Sequence, residues 1–173
     1  AVARICPELY QLAEEHAPGA RVTIGYINAS PGSPNTVPGE VIFTVDLRHP
    51  DAHQYAKLQA ACEQSVAAAC GSYELEGDAR RVWEAPGVSF DRDCIAAVKT
   101  AVHNRGYLAM EIVSGAGHDA CNIAAVAPIS MIFIPCEGGL SHNEAENISR
   151  AHATAGANIL LDAIVERSLG PAG

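Results

Sequence analysis

Val2, Ile5, Leu9 and Leu12 recur at helical spacing from the start of the chain. This predicts a helix already running at residue 1, with Pro7 either opening its regular part or kinking it and Ala17-Pro18-Gly19-Ala20 ending it. The period then changes. Val22, Ile24 and Tyr26 alternate as a strand, and a loop rich in Pro, Gly, Ser and Asn, Ala29 to Pro38, leads to a second strand over Glu40 to His49. In that strand Val41, Phe43, Val45 and Leu47 share one face, and Thr44, Asp46 and Arg48 share the other. Pro50 stops it. Asp51 with Gln54 reads as a capping box opening a helix through Tyr55, Leu58, Cys62, Val66 and Ala69, with Gly71 as its C-terminal cap. Tyr73, Leu75 and Val82 predict further strand, and Ala85-Pro86-Gly87 marks a domain boundary.

Beyond it, Ile95, Val98 and Val102 mark a helix closed by Asn104 and Gly106. A strand near Ala109 to Val113, a glycine turn at Ser114-Gly115-Ala116-Gly117 and a short helix over Asp119 to Ala127 follow. Ile129 to Ile134 is a continuous apolar run of buried-strand type, Cys136 to Ala145 a glycine-containing loop, and a helix from about Glu146 to Ser168 closes the chain. The first half becomes a split β-α-β unit if one strand is supplied upstream of Ala1. The second reads as part of a layered α/β sheet too small to be covered on both faces. Each half is expected to be incomplete at one border.

Composition narrows the class. The 173 residues are 49% hydrophobic and only 18% charged, which excludes a disordered chain. Eleven Lys and Arg against 20 Asp and Glu give a net charge of −9, and the longest basic run is Arg80-Arg81. Nucleic acid and anionic membrane surfaces are therefore excluded as partners. The most apolar stretch, Ile123 to Cys136, is broken by Pro128 and Ser130 and falls short of the ~20 residues a spanning helix needs. The six cysteines form no C-x-x-C pair and sit mostly in apolar periodic segments, as expected of reduced thiols in a cytoplasmic protein.

Three constellations carry candidate chemistry. Gly115-Ala116-Gly117-His118-Asp119-Ala120 follows a predicted strand and opens a helix, with Glu137 beyond the next strand. It satisfies a dinucleotide fingerprint, although the helix is short for cradling a pyrophosphate. A tight turn needing a positive-φ glycine also fits, but leaves His118-Asp119 unexplained at a strand end, where open α/β sheets bind ligands. The segment Glu137 to Glu146 places His142 just past a buried strand among glycines and carboxylates, a setting for a metal-ligating or catalytic imidazole as well as for a solvated one. A metal needs three or four protein ligands, and no second histidine stands at ligand spacing to His142. Asn35 and Arg48 could together hold a small amino-acid-like anion, since Arg offers a planar fork to a carboxylate and an Asn amide both donates and accepts. An exposed strand Arg paired with Asp46 or solvent is the alternative.

Ser33-Pro34-Asn35-Thr36-Val37-Pro38-Gly39-Glu40, Asp46-Leu47-Arg48-His49-Pro50-Asp51, Ser114 to Ala120, and Met131 to Cys136 running into Ser141-His142-Asn143-Glu144-Ala145-Glu146 stand in this order along nearly the whole chain. Together they resemble the hydantoinase/carbamoylase branch of the metal-dependent aminoacylase and carboxypeptidase superfamily, which includes N-carbamoyl-L-amino-acid hydrolases, β-ureidopropionases and allantoate amidohydrolases. The resemblance implies a dimeric, two-domain α/β amidase with a dinuclear divalent metal centre (Zn, Mn, Co or Ni). In such an enzyme a metal-activated water attacks the carbamoyl carbon and lid closure excludes water. Residues 1–87 would be a ferredoxin-like lid and dimerisation domain lacking its first strand, and 88–173 the C-terminal part of the layered catalytic domain. His142 would be a metal ligand, and Asn35, Arg48, Gly117 and His118 would bind substrate. The general base and remaining ligands are expected upstream of Ala1, leaving these residues inactive alone. The rival readings are a non-catalytic dimerisation or binding module and a nucleotide-binding fragment.

Overall fold

The computed structural model describes residues 1–170. The chain divides into two compact units, Ala1–Gly87 and Val88–Gly173.

In the first unit, α1 (Val2–Glu15) is followed by β1 (Arg21–Ser30), β2 (Glu40–Arg48) and α2 (Ala52–Ser72). The helix α1 runs through Pro7. The strands form one antiparallel hairpin, and α1 and α2 pack on one of its faces. Ile5 and Leu9 of α1 meet Cys62 and Ala69 of α2, and this cluster rests on Val22, Ile24, Phe43, Val45 and Leu47 of the strands. The predicted alternation of β2 is observed in full. That of β1 is not. The register slips between Ile24 and Tyr26, so that Val22 and Ile24 oppose Leu47 and Val45 while Ile27 and Ala29 oppose Phe43 and Val41. The bulge at Gly25 restores the apolar residues of β1 to the core face and turns Tyr26, opposite Thr44, to the outer face.

The capping box at Asp51 is present: its carboxylate accepts from Gln54 N–H at 2.8 Å. The helix it opens runs past Gly71 and is capped at Tyr73. The strand predicted around Tyr73, Leu75 and Val82 is absent. Residues 75–90 adopt no regular element, and Val82 and Trp83 are exposed. Apolar residues alone do not make a strand, and this segment joins no ladder among the described residues.

In the second unit, α3 (Arg92–Asn104) and α5 (Arg150–Leu169) pack together. Ala97 and Ala101 of α3, and Ile159 and Ala163 of α5, are buried, each pair one turn apart. Asp91 caps α3 through Cys94 N–H, and Ser149 caps α5 through His152 N–H. The closing helix thus starts at Arg150, not near Glu146. The short helix α4 covers only Asp119–Ile123, and a 3-10 turn spans Glu137–Gly139. The strands predicted near 109–113 and over 129–134 are not formed: neither segment joins a ladder among the described residues, and Leu108, Met110 and Val113 are largely exposed. One close approach anchors the second segment, since a Cβ at Gly156 of α5 would lie 2.7 Å from Ile134 Cγ2. No helix among the described residues is long and apolar enough to cross a membrane.

Candidate functional site

Arg48 closes β2. Its strand places the side chain on the outer face with Asp46, two residues earlier, and the two form a fork: Nε and Nη2 donate to Asp46 Oδ1 and Oδ2, each at 2.8 Å. The guanidinium holds the Asp46 carboxyl below its usual range, and the carboxylate raises Arg48 in turn. About half of the Arg48 side chain is exposed. The strand end beneath it is fixed. His49 Nδ1 accepts from Asp51 N–H at 3.0 Å, and its ring lies where a Cβ on Gly19 would have to go, 2.6 Å from Nε2. The carboxylate fork is therefore presented from a rigid base.

Asn35 lies in the loop at the opposite end of the hairpin. Ser33 Oγ donates to its Oδ1 at 2.7 Å, and Gly39 N–H closes the loop on Ser30 O at 2.9 Å. The full length of β2, about 27 Å at the strand rise, separates this loop from Arg48. The hairpin does not bring the two residues together, which corrects the expectation that they clamp one small ligand side by side.

In the second unit the turn before α4 is organised around His118. Ser114 Oγ stands 2.7 Å from His118 Nε2 and accepts from Ala116 N–H at 3.2 Å. The imidazole meets Phe133 edge to face at a centroid distance of 5.5 Å. Gly115 and Gly117 do not have positive φ, and a Cβ on either would meet nothing within 4 Å. The positive-φ turn expected there is absent, and the open space beside Gly117 leaves room for a ligand to approach the backbone. The dinucleotide reading fares worse, because α4 has five residues and offers no crossover helix.

His142 sits in a clasped loop. Its φ is +55°, a left-handed conformation that a non-glycine residue rarely adopts. The Glu146 carboxylate accepts from His142 N–H at 2.8 Å, and Glu146 N–H donates to Asn143 O at 2.9 Å. Glu137 N–H donates to Asn147 O at 2.8 Å, and Asn147 Nδ2 returns a bond to Glu137 Oε2 at 3.2 Å. These bonds fix the unusual backbone that presents the imidazole. They do not make a metal centre: no group of three or more His, Cys, Asp or Glu able to hold an ion exists among the described residues. The described residues thus do not by themselves fit the divalent metal expected from the sequence, and Glu146 is engaged in holding the loop.

Ser114, Phe133 and Glu146 escaped the sequence reading as site residues. For Ser114 the available signal was a hydroxyl four residues before a histidine across a glycine turn. Glu146 was signalled by a carboxylate at the same spacing after His142.

Residues 8–166 match the family model of Peptidase family M20/M25/M40. The chain belongs to this family. Among the family members it resembles, an N-carbamoyl-L-amino-acid amidohydrolase of Rhizobium meliloti is 43% identical over 166 residues, covering 96% of this chain and 40% of that protein. An allantoate amidohydrolase of Bacillus subtilis is 34% identical, covering 94% and 39%. The crystal structure of a hydantoinase/carbamoylase family amidase from Burkholderia multivorans superposes with a TM-score of 0.91 at 41% identity, covering 98% of this chain and 41% of that one. The chain spans about two fifths of the length of the curated relatives it matches.

Proposed function

We propose that these residues are the C-terminal portion of a metal-dependent amidohydrolase that cleaves linear C–N amide bonds of N-carbamoyl amino acids or related ureido acids and releases the amino acid. The observation that carries the reading is the Arg48 fork, which already holds a carboxylate in two-point geometry on an exposed strand end, in a chain 43% identical to an N-carbamoyl-L-amino-acid amidohydrolase. In substrate binding Arg48 exchanges Asp46 for the substrate carboxylate, a swap of one charge-assisted pair for another that costs little. His118 donates to a substrate oxygen, and the Gly117 backbone lies alongside. Asn35, at the far end of the hairpin, acts on the substrate held by a second copy in a homodimer formed through the ferredoxin-like lid of residues 1–87. His142 supplies one metal ligand, and the other ligands and the general base come from outside these 173 residues. The chain alone is accordingly inactive.

The test is a chimera in which the 166-residue matched region of the Rhizobium meliloti enzyme is replaced by this chain. The folded chimera is expected to hydrolyse N-carbamoyl-L-amino acids and to lose activity on His142→Ala, while the chain alone releases no product with added divalent metal. A folded but inert chimera would count against the substrate assignment. Turnover by the chain alone would overturn the division of groups.

A further inference from the structure

Three contacts around one imidazole point beyond that reading while resting on it for the identity of the ligand. Ser114 Oγ already accepts Ala116 N–H at 3.2 Å, which leaves its own hydrogen and a second lone pair for His118 Nε2 at 2.7 Å. Two arrangements satisfy that contact. If Nε2 carried the proton, it would donate to Oγ, and the serine hydrogen would have no acceptor among the described residues. If the hydroxyl donates, every polar group at the contact is used. Phe133 packs against the ring edge to face, and a half-turn of the imidazole would keep that contact but lose the one to Ser114.

We infer that Ser114 is a positioning residue that fixes His118 as the Nδ1–H tautomer, the minor form of an unconstrained histidine, and thereby makes its outward nitrogen a hydrogen-bond donor. The contact to Ser114 engages Nε2 and leaves Nδ1 for a ligand, and a Cβ at the neighbouring Gly117 would meet nothing within 4 Å. A fixed Nδ1–H donor selects an acceptor: a carbonyl, ureido or carboxylate oxygen of the ligand, never an amide N–H or ammonium. The ligand need not pay for tautomer exchange at binding, because the ring is set beforehand by residues that touch no substrate.

The experiment reads the tautomer directly. Long-range proton–nitrogen correlation spectra of the uniformly ¹⁵N-labelled chain are recorded at alkaline pH, where the imidazoles are neutral, with His118→Gln used to assign the resonances. The expected result is a pyrrole-like Nδ1 and a pyridine-like Nε2 for His118. Ser114→Ala shifts the pattern towards the ordinary Nε2–H form, and Ser114→Thr, which keeps the hydroxyl, restores it, with the helical circular dichroism of all three proteins unchanged. A predominantly Nε2–H His118 in the unaltered chain, or one indifferent to Ser114→Ala, would overturn the assignment. Adding an N-carbamoyl amino acid separates this inference from the functional reading. A His118 that keeps its tautomer but ignores the ligand argues against the proposed substrate and leaves the role of Ser114 intact.

Discussion

In Ala1–Gly87 the two strands are consecutive, so each finds its hydrogen-bonding partner across one loop, and two helices then cover the apolar face they make together. In Val88–Gly173 the apolar segments 109–113 and 129–134 are separated by a turn and α4, do not pair with each other, and leave Leu108, Met110 and Val113 exposed around a helix pair whose contact is built mostly from alanines. Alternation and apolar runs tell which residues want cover. They do not tell which backbone will supply the neighbouring edge.

That difference can be broken by mutation. Leu58 is fully buried in the first unit, whereas Leu108 is fully exposed in the second. In thermal or denaturant unfolding, Leu58→Ala should cost about 2–5 kcal/mol and Leu108→Ala no more than about 0.5 kcal/mol. Equal losses would mean that 107–113 is packed as firmly as the hairpin core. Where the second unit does pack tightly, the effect should reappear. Gly156→Ala would ordinarily stabilise a helix interior by about 1 kcal/mol. Here its Cβ would press on Ile134 Cγ2, so a net loss of about 1–3 kcal/mol is expected, and a net gain would show that the 129–134 segment moves aside freely.

The smallest effect is shared by both units. Asp51 and Asp91 are held below the usual carboxylate range chiefly by the capping N–H groups of Gln54 and Cys94, and Asp46 by Arg48. A depressed folded value means the stabilisation is complete above the ordinary Asp pKa of about 3.9 and is lost as pH falls through the lower folded values. Asp51→Asn and Asp91→Asn keep a cap acceptor but remove the titration. Each should flatten the acid limb of the stability profile slightly and to a similar degree in the two units. A flattening confined to one variant would show that only that cap is formed.

Local chemistry was the legible part. Asp51 and Gln54, the four inward residues of β2, and the helical spacing of α1 and α3 are decided by neighbours a few residues away. The Gly25 bulge was not legible, because it arises from matching β1 to β2 across the hairpin, and nothing in Val22 to Tyr26 by itself breaks the alternation. The start of α5 was misplaced because Glu146, an apt first-turn carboxylate, is recruited instead to the N–H of His142. Motif spacing singled out Arg48, His118 and His142. The supports of those side chains lie in the turn geometry around them: Ser114 and Phe133 beside His118, His49 over Gly19 beneath Arg48, and the clasped loop around His142.

In the proposed function, substrate recognition depends most on Arg48 reading a carboxylate. Calorimetric titration of the chain with an N-carbamoyl-L-amino acid, and with the alkylurea that lacks only its carboxylate, tests this directly. The acid should bind and the urea should bind far more weakly. Arg48→Lys, which keeps the charge and loses the fork, should reduce acid affinity by about tenfold, the worth of one charge-assisted hydrogen bond, while leaving the urea unaffected. Equal affinity of the acid for the Arg48→Lys variant and the unaltered chain, or equal binding of acid and urea, would contradict it.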